Sequence, residues 1–428
     1  MDRGARLKLQ KARMEAISTG STLGPTFVRG SGPWLFTARG ERYFDATSGS
    51  GAVGLGHQHP AVLEACQRQL QQLVHTGCKL KADVRDTVVR KIAALVPFQE
   101  PTVLFTVIGT EAVESAIKIA RAATGRQVVA GFRHAFHGKS REALNITWRA
   151  GFKAYSAISE GNRLILDPLY SDSAAQDEGR QVDAALNSCF EHLQQARTEG
   201  RLPAAMIFEP IQVTEGVLTM PKAYIEGVLS ICRQFGIISI LDEIYTGIGR
   251  CGHLLFSDQL QVKPDLLLLG KSLGNGFPIS VVVGSAELVN QLPAGVQTST
   301  YSGHPLSCAA ASAVLDVVTE RALWKAAVKN GLQMKERLVE LQSQYPQILR
   351  VRQCGMLLAF DLGVEGVPQE ALAKKFLSAA LAQNVLLFGG GPANATVKVV
   401  PPTLLTDIDR SYLLDALEST FLALRKES

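Results

Sequence analysis

The sequence predicts an α/β fold, with parallel strands in a large domain and a smaller domain beside it. Three observations lead there. Short apolar runs such as Ile237–Leu241 and Leu266–Leu269 are bounded by glycine, proline and charge, as strands buried on both faces are. Amphipathic stretches of helical period alternate with them. The chain has 428 residues and 46% hydrophobic content, enough for one large domain and a smaller one.

The most informative stretch is Phe235 to Gly276. Its first strand ends in Asp242 and Glu243, and its second leads through Gly270 to Lys271. Parallel sheets bind ligands at the carboxyl ends of their strands. A lysine leaving a buried strand has its pKa lowered by desolvation, which makes its amine nucleophilic toward a carbonyl. An acid and a lysine on adjacent strand ends suit a pyridine-aldehyde cofactor, whose ring nitrogen the acid keeps protonated. Two simpler readings compete. Gly247-Ile248-Gly249-Arg250-Cys251-Gly252 spells a dinucleotide fingerprint, but no long helix follows it and the next strand ends in Gly270-Lys271 rather than in an acid. Taken singly, Asp242 and Lys271 also read as surface charges at strand ends.

The run Leu241-Asp242-Glu243-Ile244-x-Thr-Gly-Ile-Gly-Arg, then Pro264-Asp265-Leu-Leu-Leu-Leu-Gly-Lys271-x-Leu-Gly-x-Gly-Phe-Pro, resembles the class III aminotransferases. These are pyridoxal 5'-phosphate (PLP) enzymes of fold type I, with a mostly parallel seven-stranded sheet in the large domain and a smaller α+β domain. The resemblance implies that Lys271 forms the Schiff base with PLP and that Asp242 holds the ring nitrogen. It places residues 1–60 with the small domain, 61–315 in the large PLP-binding domain and 316–428 in the C-terminal small domain.

In chain order, residues 1–18 are basic, with Asp2 and Glu15 interspersed, and read as a short surface helix rather than a transit peptide. Phe27–Phe44 reads as a small hairpin with Gly-Pro and Arg-Gly turn signals. Asp45 to Pro60 is a glycine-rich loop, similar to the family segment that lines the substrate entrance. Its His57 and His59 have no further ligands nearby and read as structural rather than as a metal pair. Amphipathic helices follow near 61–73 and 83–95.

Thr102–Val107 is a strand, and Gly109-Thr110 opens a helix through Ala123. Free N–H groups, a hydroxyl and the positive dipole end make such a start either an anion cradle or an ordinary N-cap. The resemblance favours the cradle, for the cofactor phosphate, with Ile108 where the family has serine.

Val128–Phe132 is followed by Phe136-His137-Gly138-Lys139-Ser140. A Walker A loop is excluded because it needs glycine at 133, where Arg133 stands. In the family this segment stacks its aromatic ring on the cofactor, a place for Phe136 beside His137. Ala204–Phe208 ends in Glu209-Pro210-Ile211-Gln212, similar to the family's cofactor-side motif. The usual Gly-Glu-Gly-Gly then becomes Val213-Thr214-Glu215-Gly216, so Thr214 takes the acidic position and Glu215 is shifted by one.

Tyr245 replaces the usual glutamine near the cofactor's phenolic oxygen. Thr300 matches a threonine that reaches the phosphate of a neighbouring subunit, which implies a homodimer with shared sites. His304 replaces an asparagine in that segment, and Pro305–Glu320 is a long helix leading to the C-terminal part. There lie Val351–Leu362, a loop at Gly389-Gly390-Gly391, and Val397 to Pro402. Lys398 stands where the family usually has an arginine forked on the substrate α-carboxylate, and lysine offers only a point charge.

Lys398, together with the motif from Gly109 to Arg121, resembles diaminobutyrate-type members, although the displaced glutamate separates the chain from a plain copy of them. The resemblance thus implies a transaminase that moves an amino group from a donor such as glutamate or alanine to an aldehyde or ketone. The reacting amine is remote from an α-carboxylate or lacks one, as in a diamino acid, a polyamine or an amino sugar. The alternatives are an epimerase or racemase on the same scaffold and, in another class, a non-catalytic binding protein. The second predicts decay of the lysine or the acid, and both are present.

The formal net charge of +5 is mild and spread out, which points to neither nucleic acid nor membrane. Seven cysteines without a CxxC pair argue for reduced thiols in a cytoplasmic setting.

Overall fold

The computed structural model describes residues 24–154, 160–171 and 177–426, so the basic segment at 1–18 lies outside the described residues. The central sheet has seven strands. From edge to edge they are Pro101–Thr106, Ser280–Ser285, Leu266–Leu269, Ile238–Asp242, Ala205–Phe208, Val129–Phe132 and Arg163–Leu166. Only Ser280–Ser285 runs against its neighbours; the other pairings are parallel.

Side chains alternate between the two faces of this sheet, as a pleated strand requires. Leu266 and Leu268 enter an apolar cluster with Ala112, Ala116 and Ala120 of the helix Gly109–Thr124. Leu267 and Leu269 enter the opposite cluster, with Leu193, Val228 and Val314 from the helices Glu178–Thr198, Lys222–Phe235 and Pro305–Glu320. All four leucines are at most 2% exposed. At roughly 1.5–3 kcal/mol for each buried side chain, this strand is stable only in the interior. Two of the covering helices stop at glycines in the left-handed region, Gly125 (φ 68°) and Gly236 (φ 59°), whose N–H groups cap the last carbonyls.

A third apolar cluster holds Phe44, Met334, Phe360, Phe376 and Phe421. It joins the helices Leu323–Gln344, Glu370–Ala382 and Asp407–Lys426 to antiparallel strands. Here three expectations are refined. The N-terminal hairpin is a three-stranded meander, Phe27–Ser31, Trp34–Thr37 and Arg42–Asp45, because each turn signal reverses the chain. Val385–Leu386 extends it in parallel.

The run Val351–Leu362 is broken by Gly355 into the strands Ile348–Cys354 and Leu357–Val364. A Cβ at Gly355 would stand 2.4 Å from the Arg250 carbonyl oxygen, at φ 55°. Gly389 and Gly390 are not loop; they pair with Val397 and Thr396, and only Gly391 turns (φ 81°). Among the described residues no helix is long and apolar enough to cross a membrane.

Candidate active site

Parallel strands deliver their following residues to one edge of the sheet, and the candidate residues gather there. A cavity of about 220 Å³ is lined by Gly109, Thr110, Phe136, His137, Gly138, Glu209, Asp242, Ile244, Tyr245 and Lys271. Nine of these ten are candidate site residues in the sequence; the tenth, Gly138, stands in the same aromatic-His-Gly segment without being picked out itself. They end or follow five strands of the sheet, so separations of up to 162 positions collapse into one wall.

Lys271 opens a short 3-10 turn with φ 43°, a conformation costly for a bulky side chain and typical of a site held by its surroundings. Its Nζ stands 3.5 Å from the centre of the Tyr245 ring. Burial pushes the amine's pKa down to about 8, against the pull of the Asp242 and Glu209 carboxylates. Tyr245 is in turn fitted against Gly51: a Cβ there would lie 2.4 Å from the ring's Cε1. Burial raises the Tyr245 phenol to about 12, so it stays protonated.

Asp242 is 4% exposed and held on both oxygens. Oδ2 pairs with His137 Nδ1 at 2.7 Å, and Oδ1 accepts the Ile244 N–H at 3.1 Å. With Nδ1 donating to Asp242, the other His137 nitrogen, Nε2, is buried without a hydrogen-bond partner. Glu209 accepts the Phe136 N–H at 2.9 Å, and burial raises its carboxyl to about 7.

At the other end of the cavity, the first N–H groups of the helix Gly109–Thr124 have no acceptor within the helix. Gly109 and Gly138 keep this end open. A Cβ on Gly109 would press to 3.0 Å from Ile244, and one on Gly138 would reach 2.3 Å from the Thr110 hydroxyl. Thr110 Oγ1 meets Ser140 Oγ at 2.5 Å, and Ser140 donates to Glu114 at 2.5 Å. Ile108, where a serine was expected, is 52% exposed and offers no hydroxyl.

Lys398 and Thr214 do not line the cavity. Lys398 Nζ donates to the Thr214 carbonyl at 3.3 Å, and burial brings its amine down to about 8. It is near enough for its charge to act on Lys271. Thr300 is exposed and also outside the cavity. His57 Nε2 pairs with Asp45 at 2.8 Å, and no group of three or more potential metal ligands occurs among the described residues. Sequence reasoning missed Arg149, which forks onto Glu215 across 66 positions, because nothing in its local pattern signals the pairing.

A depressed lysine, a hydrogen-bonded carboxylate and a helix N-terminus around one cavity define an α/β enzyme that holds an anionic carbonyl cofactor. The chain belongs to the class III aminotransferases: residues 18–421 match that family. It is 33% identical over 423 residues to the 5-aminovalerate aminotransferase of Pseudomonas aeruginosa, covering 96% of this chain and 97% of that one. The 4-aminobutyrate aminotransferase of Escherichia coli is 29% identical over 426 residues, covering 97% and 98%. Among solved structures, an amine transaminase from an uncultivated Pseudomonas species in its PLP-bound form superposes with a TM-score of 0.86 at 27% identity, covering 95% of this chain and 98% of that one.

The protein is a PLP-dependent transaminase of fold type I. The cavity fits the cofactor: the glycines at 109 and 138 leave room where a Cβ would intrude, beside unsatisfied helix N–H groups suited to a phosphate.

Proposed function

We propose that this transaminase acts on an amine at the far end of a small amino acid, with Lys271 and Asp242 as its catalytic groups. The observation that carries this reading is Lys398: a half-buried cation near Lys271 with no carboxylate in ion-pairing distance among the described residues. A substrate carrying a carboxylate away from its reacting amine would satisfy that charge. Relatives that act on 5-aminovalerate and 4-aminobutyrate favour this class over the polyamines and amino sugars that the sequence also allowed.

Bound PLP supplies a carbonyl that takes up the amino group and a ring that accepts electron density from the substrate carbon. The residues of the chain do the rest. The Lys271 amine would take the proton from the substrate carbon and deliver it to the cofactor's C4′. Asp242 keeps a proton on the ring nitrogen, and His137 orients Asp242. Phe136 and Ile244 line the cavity where they would hold the ring, with Glu209 and the Tyr245 hydroxyl as polar groups for its substituents. Gly109 and Thr110 hold the phosphate by N–H and hydroxyl. Of the described residues, 24–60 and 316–426 form the small domain around 61–315, a division supported by Phe44 and Ala46 packing with Phe360 and Phe421.

Cofactor-loaded protein mixed in turn with 5-aminovalerate, 4-aminobutyrate, glutamate, alanine and several diamines tests the reading. An ω-amino acid is expected to bleach the yellow colour and yield its aldehyde. If all leave the colour unchanged while solvent deuterium enters a recovered amine, the activity is epimerisation instead.

The Lys271 amine also sets a pH dependence. Below its pKa of about 8 the ammonium cannot attack a carbonyl, so the reactive form grows with pH and levels off above that value. Colour formation on adding PLP to cofactor-free protein should slow about tenfold per unit as pH falls below about 8. A rate constant that stays flat between about pH 6.5 and about pH 9 would sink this assignment.

Exposed Thr300 supports a homodimer in which each subunit completes its partner's phosphate site. Sedimentation at micromolar concentration is expected to give twice the chain's mass of 46.1 kDa. A fully active monomer would end this proposal. The cysteine pattern keeps the cytoplasm as the proposed location, which fractionation of the source cells checks.

A further inference from the structure

Glu215 is 2% exposed, and a carboxylate so buried needs a cation. Arg149 provides it with a fork: Nε donates to Oε1 and Nη2 donates to Oε2 at 3.0 Å. Arg149 is itself anchored, by Nη1 to Asn394 Oδ1 and by Nη2 to the Gly391 carbonyl, both at 2.8 Å.

The backbone on either side of Glu215 is pinned as well. The Thr214 carbonyl accepts from Lys398, and the Gly216 carbonyl accepts from Arg352 Nε at 2.7 Å. Arg352 is fixed in turn by Asp361, which takes its two terminal nitrogens at 2.6 Å each. Three consecutive residues are thus held in place, and the carboxylate among them is turned to Arg149. Among groups in direct contact, Arg352 is matched by Asp361 and Arg149 by Glu215, while Lys398 has only a carbonyl, with the Glu209 carboxylate acting on it from farther away. One positive charge is left over, and it lies on Lys398, the member whose field reaches Lys271.

We propose that Arg149 is a specificity-determining residue: by committing Glu215 to itself, it leaves Lys398 open for the remote carboxylate of the substrate. Arg149 touches no substrate and acts through Glu215. Without it, the buried Glu215 would take the next cation within its field, Lys398, and the cluster would become neutral. The site would then lose its preference for an acid over a plain amine. This rests on the proposed ω-amino acid reading, whose own test precedes it.

The test uses the full-length, PLP-loaded protein with Arg149→Met, Glu215→Gln and the double variant, each assayed with 5-aminovalerate and with pentylamine. Arg149→Met should raise KM for 5-aminovalerate roughly ten- to hundredfold with a far smaller change in kcat. KM for pentylamine should stay level or fall. The double variant, with no carboxylate left to capture Lys398, should bring KM for 5-aminovalerate back to within about threefold of the starting protein. Binding of valerate, which has no amine to react, should follow the same order by calorimetry.

Two results would overturn the proposal: equal losses for acid and amine in Arg149→Met, or a double variant no better than that single one. Should Arg149→Met fail to fold, Glu215→Gln decides alone. It should leave KM for 5-aminovalerate unchanged or lower, and a rise of tenfold or more refutes the idea. If the unaltered protein transfers from no donor, the proposed function fails first, and the two failures are told apart.

Discussion

Lys271→Ala is expected to lower kcat for amino transfer by roughly 10⁴-fold or more, the upper range for removing a positioned proton-transfer group. Two losses combine. On its proposed roles, the variant lacks the amine that would bond the cofactor carbonyl and the base that would move the proton at the substrate carbon. The side chain opens into a cavity and forms no ion pair among the described residues, so its removal breaks no salt bridge and only takes a cation from the field of Asp242 and Glu209. The conformation at φ 43° carries the same Cβ penalty for alanine as for lysine, so the exchange adds no backbone strain. Folding should therefore survive, and the melting temperature should hold. Added methylamine should restore part of the rate, since a free amine can occupy the vacated space. A variant that keeps more than about a tenth of the wild-type rate would remove Lys271 from the chemistry.

Asp242→Asn comes next in size, with kcat expected to fall roughly 10²- to 10³-fold, the scale of losing one preorganised electrostatic partner. The amide has the shape of the carboxylate and can still accept the Ile244 N–H and face His137. What it loses is the negative charge that keeps a proton on the ring nitrogen. Because Asp242 is buried, that charge acts through little water and its loss is not screened. The spectral maximum of the bound cofactor should move along with kcat, while KM for the donor changes far less. An unaltered spectrum with unaltered kcat would assign Asp242 to structure alone.

Much of the site was legible before any coordinates because its chemistry is written at strand ends. An apolar run that stops at Asp242, and another that stops before Lys271, place both groups on one edge of a parallel sheet. The same logic holds for Glu209, for Gly109 with Thr110, and for Phe136 with His137. The meander at Phe27–Asp45 and the split at Gly355 were less legible. A turn signal shows where the chain reverses, but not how many strands then pair, because pairing depends on distant partners such as Val385–Leu386.

By itself the sequence determined the fold class, the family resemblance, the cofactor it implied and the residues around it, since burial periodicity and strand-end polarity are local properties. The tertiary structure alone decided the charge pattern facing the substrate. Whether Glu215 neutralises Lys398 or Arg149 depends on which guanidinium or ammonium reaches it in space. Arg149 is brought to Glu215 from 66 positions away and Lys398 from 183, and no local periodicity encodes either approach.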